Sequence, residues 1–448
     1  MTQTSKKRKL SAAQTLAHGF ALIILTGAVL LMLPMASRSG RAISFLDALF
    51  TAASATCVTG LVVFDTYTQF TVFGQVVILS LIQIGGLGFM TFAIFFSMVL
   101  RKRIGLRERA FLMEAVSADR LAGVVRLARR VLIGTVIAES IGAVLLAFRF
   151  CPALGLGRGI WYSVFHSVSA FCNAGFDLLG YQAPYQSLVG FGGDPLVLLT
   201  IAGLIIVGGI GFVVWDDMVE HRLAFRQYSL HAKVVLFCTA LLLTGSTILF
   251  YIVETDASFA GMRGGERLLA AFFQAVTPRT AGFNAVDLTQ LSEGGSLLTM
   301  LLMLVGASPG STGGGMKITT FAVMMMAVSA HLRRRNDVDL FSRRIDPEVV
   351  RKAFCNALFY LSLMLAVAFA ILTLQNELPM KDVFFECISA IGTVGLSTGI
   401  TRDLVPVSRL LVALLMYAGR VGSVTVFIAV SRKKTGKLRY PVERIIIG

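Results

Sequence analysis

The sequence predicts an all-α, polytopic membrane protein made of four pseudo-repeats around a central pore, each a helix, a short re-entrant helix and a second helix. Three observations predict it. Hydrophobic residues fill 56% of the 448 positions, and several apolar runs reach about 20 residues, enough to cross a ~30 Å hydrocarbon core. A Gly-ended tetrapeptide occurs as Cys57-Val58-Thr59-Gly60, Cys172-Asn173-Ala174-Gly175, Arg279-Thr280-Ala281-Gly282 and Gly392-Thr393-Val394-Gly395, about every 110 residues. Each copy follows an apolar segment of about ten residues, too short to span a bilayer as helix.

Taken in order, the first spanning helices are expected near 17–33, 130–150, 234–253 and 358–374, and the second near 72–100, 196–219, 297–328 and 410–430. The short helices fall between them, at 44–55, 160–171, 267–277 and 382–391. The chain thus divides into repeat 1 (1–100), repeat 2 (101–220), repeat 3 (221–335) and repeat 4 (336–448). The run 17–34 follows basic residues as a secretory signal does, but it is long for a signal core and the first repeat needs it. Six cysteines lie in or beside apolar segments without CxxC spacing, so neither a disulfide framework nor a zinc site is expected.

A net charge of +16 raises the question of a nucleic-acid partner, and the placement of the charges answers it. Roughly 29 of the 41 Lys and Arg fall in alternate loops, at 6–9, 101–130, 222–233, 333–352 and 432–444. This positive-inside asymmetry accounts for the charge without nucleic acid and places both termini in the cytoplasm. Eight spans agree with that orientation.

The repeats also match outside the tetrapeptide. Phe50, Phe165, Phe272 and Phe385 each precede the glycine by ten residues, and three repeats share Ser-Ala at Ser54-Ala55, Ser169-Ala170 and Ser389-Ala390. Non-helical backbone at membrane depth is tolerated only where protein buries it or water lines it. A half-helix followed by extended Thr/Ala/Gly therefore belongs around a cavity, and its C-terminal dipole favours a cation there. Turning successive carbonyls to one side needs positive φ, which glycine supplies. Each re-entrant helix is then a pore helix with a filter, and the cation ligands are the backbones of Val58, Thr59 and Gly60, Asn173, Ala174 and Gly175, Thr280, Ala281 and Gly282, and Thr393, Val394 and Gly395. The plainer alternative is that these glycines merely cap short helices.

A second feature interrupts the last helix of repeat 3. Gly306-Ala307-Ser308-Pro309-Gly310-Ser311-Thr312-Gly313-Gly314-Gly315 cannot remain a regular helix. The segment 306–316 is expected as a loop at membrane depth, lying across the path on the cytoplasmic side of the filter, with Gly306, Pro309, Gly310, Gly313, Gly314 and Gly315 as gate residues. Gly85-Gly86-Leu87-Gly88 and Gly208-Gly209-Ile210-Gly211 read as helix-packing glycines. Arg420 lies twelve residues before Arg432, roughly 18 Å along a helix. A charge at that depth is costly unless it faces water or a partner. Arg420 is therefore expected on the pore wall, repelling cations and bonding loop carbonyls in the closed state, the alternative being a structural ion pair. Lys317 follows the loop and is expected to anchor it to phosphate or a carboxylate. Asp216, Asp217 and Glu220 read as solvated helix-end charges.

These residues resemble the filter segments of the Trk/Ktr/HKT superfamily of potassium and sodium transporters, most closely the membrane subunits of bacterial Ktr systems. The resemblance covers nearly the whole chain, through 57–61, 173–176, Thr277-Pro278-Arg279-Thr280-Ala281-Gly282-Phe283-Asn284 and 393–396. It implies potassium uptake through a carbonyl filter gated by an intramembrane loop, with sodium stimulation an open question, and Gly60 at the first filter position favours K+ over Na+. It also implies a homodimer in the bacterial inner (plasma) membrane, resting on a cytoplasmic ring of nucleotide-binding, KtrA-like subunits. No organic cofactor is implied for this chain. The rivals are a sodium-permeable uniporter and an alternating-access cation symporter, the latter resting on two repeats and a midplane polar site. A membrane enzyme would need a paired nucleophile and base, and the sequence has no HExxH, Walker loop or GxSxG.

Overall fold

In the computed structural model, residues 12–88, 113, 124–222, 224–335, 337–422, 441 and 443 are described. The basic residues 6–9, most of 101–130 and most of the basic tail 432–444 lie outside the described residues, as do the expected extensions of the second helices to 100 and 430. The architecture is helical, with each repeat running outer helix, pore helix, extended segment and inner helix.

Among the described residues, four helices are long and apolar enough to cross a membrane: Gln14–Met32, Val124–Leu154, Leu230–Val253 and Pro347–Leu374. These are the outer helices. Their boundaries follow local chemistry: Ser229 caps its helix by accepting from the Ala232 N–H, and Asp346 does the same for Glu348 ahead of Pro347. The pore helices are Phe45–Cys57, Leu156–Phe171, Gly264–Val276 and Met380–Gly392. Each packs on the outer helix of its own repeat. Phe50, Phe165 and Phe385 are fully buried, fixing which face of the pore helix turns inward. Repeat 3 departs by one position, since Phe273 is fully buried and Phe272 only half-buried.

The inner helices differ from the long spans expected. Repeat 1 has Val72–Leu87, followed by Gly88 at φ 81°. Repeat 2 has Pro195–Gly209 and Phe212–His221, which meet at 93°, with Gly211 between them at φ 96°. Repeat 3 has Glu293–Leu304 and Ile318–Leu332 on either side of the interrupting loop. Repeat 4 has Pro406–Val421, ended by Gly422 at φ 96°. A left-handed glycine ends a helix because the next carbonyls can no longer point along its axis.

Two details at the ends of the helices add to the sequence reading. Asp216 pairs with Arg130 of its own repeat and Asp217 accepts from the Ser229 N–H of repeat 3 at 3.1 Å, so these half-exposed acids also hold helix ends together, while Glu220 is exposed as expected. Residues Asp339–Leu340 and Arg343–Arg344 form a small antiparallel hairpin, turned by Phe341 and Ser342, both at positive φ, as a tight primed turn requires.

Candidate functional site

The four extended segments are built by one device. In repeats 1, 2 and 4 the residue two before the glycine is left-handed, Val58 at φ 57°, Asn173 at 58° and Thr393 at 50°. Its N–H bonds three residues back, to the carbonyl of Ala55, Ala170 or Ala390, while the next N–H reaches five residues back, to Ser54, Ser169 or Ser389. This double closure is the Schellman ending of a helix. Repeat 3 uses Thr280 at φ 64°, and Ala281 donates to Thr277. The helix-ending residue is thus not the glycine. Gly60, Gly175, Gly282 and Gly395 form a second left-handed position, at φ 98°, 70°, 77° and 92°.

That second turn brings the repeats together. A methyl group added to Gly60 would lie 2.7 Å from the Ala174 carbonyl oxygen, one on Gly175 2.8 Å from that of Ala281, and one on Gly282 2.6 Å from that of Val394. On Gly395 it would collide with the Thr59 carbonyl oxygen. Glycines and carbonyls therefore alternate around a closed ring, in the order of the repeats. All four glycines, with Asp65 and Asp177, line one cavity of about 510 Å³ on the side away from the interrupting loop.

The loop between Leu304 and Ile318 lies against the other face of the ring. Methyl groups on Gly313 and Gly314 would strike the hydroxyls of Thr280 and Thr393, and one on Gly315 would lie 2.8 Å from the Gly392 carbonyl oxygen. Gly306, Pro309 and Gly310 precede them in the loop. The Gly306 N–H donates to Met316, closing the loop's neck, while Gly310 accepts from the Phe212 N–H at 2.7 Å. Lys317 donates to the Gly313 carbonyl at 2.8 Å and, more weakly, to Gly314. The expected phosphate or carboxylate anchor is replaced by the loop's own carbonyls.

Arg420 reaches the carbonyl oxygens of Thr312 in the loop and of Gly85 and Gly86 in repeat 1. It makes no ion pair among the described residues. Three carbonyls around one planar guanidinium are the arrangement that a fork of fixed N–H donors suits.

A family model described as a cation transport protein, TrkH, matches residues 4–438. The chain belongs to the TrkH family. It is 42% identical over 437 residues to the Ktr system potassium uptake protein B of Bacillus subtilis, covering 97% of this chain and 96% of the relative. It is 41% identical to the potassium/sodium uptake protein NtpJ of Enterococcus hirae, covering 99% and 98%. The crystal structure of the potassium transporter TrkH from Vibrio parahaemolyticus has the same fold, at a TM-score of 0.74 and 16% identity over 96% of this chain and 87% of that one.

In this TrkH-family chain, two sets of residues at matched positions had no role assigned from sequence. The shared serines brace the ring. Ser54 and Ser389 accept from the N–H of Gly60 and Gly395, at 3.1 and 3.0 Å. Ser169 and Thr277 donate instead to the carbonyls of Phe176 and Phe283 just beyond it. The Ser-Ala recurrence was their signal. Ser389→Ala leaves the Gly395 N–H without its partner, at about 1–3 kcal/mol. The potassium concentration for half-maximal uptake should rise about fivefold and Ser389→Thr should restore it, measured as uptake kinetics at matched abundance.

The residue after each repeated phenylalanine acts likewise in two repeats. His166 accepts from the Leu178 N–H at 3.3 Å, and the Glu386 carboxylate accepts from the hydroxyls of Ser397 and Thr401. Both fix the chain just outside the ring.

A second fourfold pattern lies on the inner helices: Gly85-Gly86-Leu87-Gly88, Gly208-Gly209-Ile210-Gly211, Gly306-Ala307-Ser308-Pro309 and Gly419-Arg420-Val421-Gly422. In three of them the first glycine abuts the pore-helix carbonyl of Thr56, Phe171 or Ile391, so close packing is part of their role. Their last glycine breaks the helix. Arg420 occupies the position that Gly86, Gly209 and Ala307 hold in the other repeats.

Proposed function

We propose that this chain mediates potassium uptake across the cell membrane, through a carbonyl-lined filter at residues 58–60, 173–175, 280–282 and 393–395 and past a gate formed by the loop 306–316 with Lys317 and Arg420. One observation carries the reading: four glycines and four carbonyls alternate around a single ring that faces a cavity on one side and the loop on the other. Carbonyl oxygens in such a ring replace an ion's hydration shell. The pore helices point their C-terminal, partially negative ends at it. The relatives named for potassium uptake support K+ as the transported ion.

A second reading, sodium permeation alongside potassium, is favoured by 41% identity to a protein named for potassium/sodium uptake. Rubidium and potassium uptake in cells lacking their own potassium uptake systems, with and without sodium, tests both. Potassium-dependent growth rescue with saturable rubidium uptake is expected. Equal sodium uptake would favour the second reading, and no uptake from correctly inserted protein would end the first.

The relative's designation as part of a Ktr system supports working alongside other components. The arrangement proposed is a homodimer in the bacterial inner membrane, both termini cytoplasmic, resting on a nucleotide-binding ring. The basic segment 333–352, which carries the exposed hairpin residues Arg343 and Arg344, is assigned as the contact. A tenfold shift of the gate then needs about 1.4 kcal/mol of differential binding by the ring's ligand.

A further inference from the structure

We propose that the side chain of Asn173 is a positioning residue for ion selection, tying the gate loop to the wall of the filter so that loop position and selectivity change together. The inference rests on the filter and gate reading above and adds a physical link between them. Asn173 is fully buried and left-handed at φ 58°, a conformation that asparagine tolerates better than most residues. Its amide nitrogen donates to the Arg279 carbonyl and lies equally close, at 3.3 Å, to the Thr280 hydroxyl. Its amide oxygen accepts from the Thr312 hydroxyl, also at 3.3 Å. The orientation is determined by chemistry: a backbone carbonyl only accepts, so the nitrogen must face Arg279 and the oxygen the loop.

One side chain thus joins three things that must agree during permeation: the backbone of filter 2, the backbone of filter 3, and the loop. Gly208 and Gly209 clear the space for it. A methyl group on Gly208 would lie 3.1 Å from the Asn173 amide oxygen and 2.8 Å from the Thr312 hydroxyl. At the matched positions the Val58 side chain has no polar atom, and the Thr393 hydroxyl has no hydrogen-bond partner, so the link is confined to the wall between repeats 2 and 3.

When the loop leaves its seat, the amide oxygen loses its donor in a water-poor site. An unpaired buried amide is costly, so the amide shifts, and the Arg279 carbonyl and Thr280 shift with it. The coupling is reciprocal. An ion that fits the undistorted ring favours the seated loop, and a displaced loop discriminates less between ions.

The test uses the full chain in liposomes, reading the ratio of potassium to sodium inhibition constants against radioactive rubidium uptake. Thr312→Val, which removes only the hydroxyl donor, should lower the preference for potassium about threefold or more, and Thr312→Ser should restore it. Asn173→Gly keeps the left-handed backbone and deletes the amide, and adding Thr312→Val to it should change the ratio no further. A Thr312→Val protein with altered maximal rate but unchanged ion ratio would overturn the proposal, as would effects that multiply in the double variant. If Asn173→Gly fails to insert, the comparison of Thr312→Val with Thr312→Ser decides alone. Gly395→Ala in the same series separates the two levels: unaltered uptake there would mean the filter reading itself has failed.

Discussion

Gly395→Ala is expected to lower potassium uptake at least about tenfold at unchanged membrane abundance. The glycine stands at φ 92°, where an alanine costs on the order of 1–3 kcal/mol before any contact is considered. Its new methyl group would also collide with the Thr59 carbonyl oxygen, and Gly60 Cα would lie 2.9 Å away. The collision falls on backbone, so relief requires turning a carbonyl of the neighbouring repeat. Gly40 provides the control. It is also left-handed, at φ 67°, but no atom lies within 4 Å of an added methyl. Gly40→Ala carries a similar conformational cost away from the ring, so uptake per inserted molecule should stay within about twofold. Equal losses in the two variants would mean that backbone strain alone, and not the ring, sets the effect.

Arg420→Gln should raise potassium flux about tenfold. The guanidinium holds the loop at Thr312 and repeat 1 at Gly85 and Gly86, and hydrogen bonds from a charged donor are each worth roughly 1.5–3 kcal/mol. Losing even one shifts a two-state loop by tenfold or more. The same change removes a positive charge from beneath the ring, which lowers the electrostatic barrier to a cation. Arg420→Lys separates these contributions, since it keeps the charge but cannot reach three carbonyls with one planar fork. Lysine flux near wild type assigns the effect to charge, and flux near that of glutamine assigns it to the clamp. Unchanged or reduced flux in Arg420→Gln would remove Arg420 from the gate.

Much of this arrangement was legible in the sequence because the repeats are internal copies. The tetrapeptides located the four extended segments and the spacing located the pore helices to within a few residues. The proline and glycines after Val305 marked the loop. Other features were hidden for identifiable reasons. Gly85-Gly86-Leu87-Gly88 read as a packing motif, and its first glycine does pack, behind Thr56. Periodicity gives no sign that Gly88, three residues on, turns left-handed and ends the helix. Aligned as a fourfold set with the segment at Gly419, the pattern would have disclosed both the breaks and the unusual place of Arg420. The left-handed Val58 and Thr393 run against the preference of β-branched residues, and only the surrounding contacts hold them there. Repeat 3 misleads by one position: Phe272 keeps the sequence offset while Phe273 takes the buried place. The partners of Lys317 were beyond sequence, since an ammonium group donates to carboxylates and to carbonyls alike and only the folded loop decides which lies within reach.

The position shared by Gly86, Gly209, Ala307 and Arg420 has an evolutionary consequence. A tetramer of identical subunits that acquires an arginine there acquires four, facing one another in a narrow lumen where their mutual repulsion would resist assembly. Once the four quarters are fused into a single polypeptide, each quadrant can mutate alone. One quarter then carries the arginine, a second supplies the interrupting loop, and the glycines of the other two receive one each, Gly85 and Gly86 the arginine and Gly208 and Gly211 the loop, a division of labour unavailable to four identical subunits.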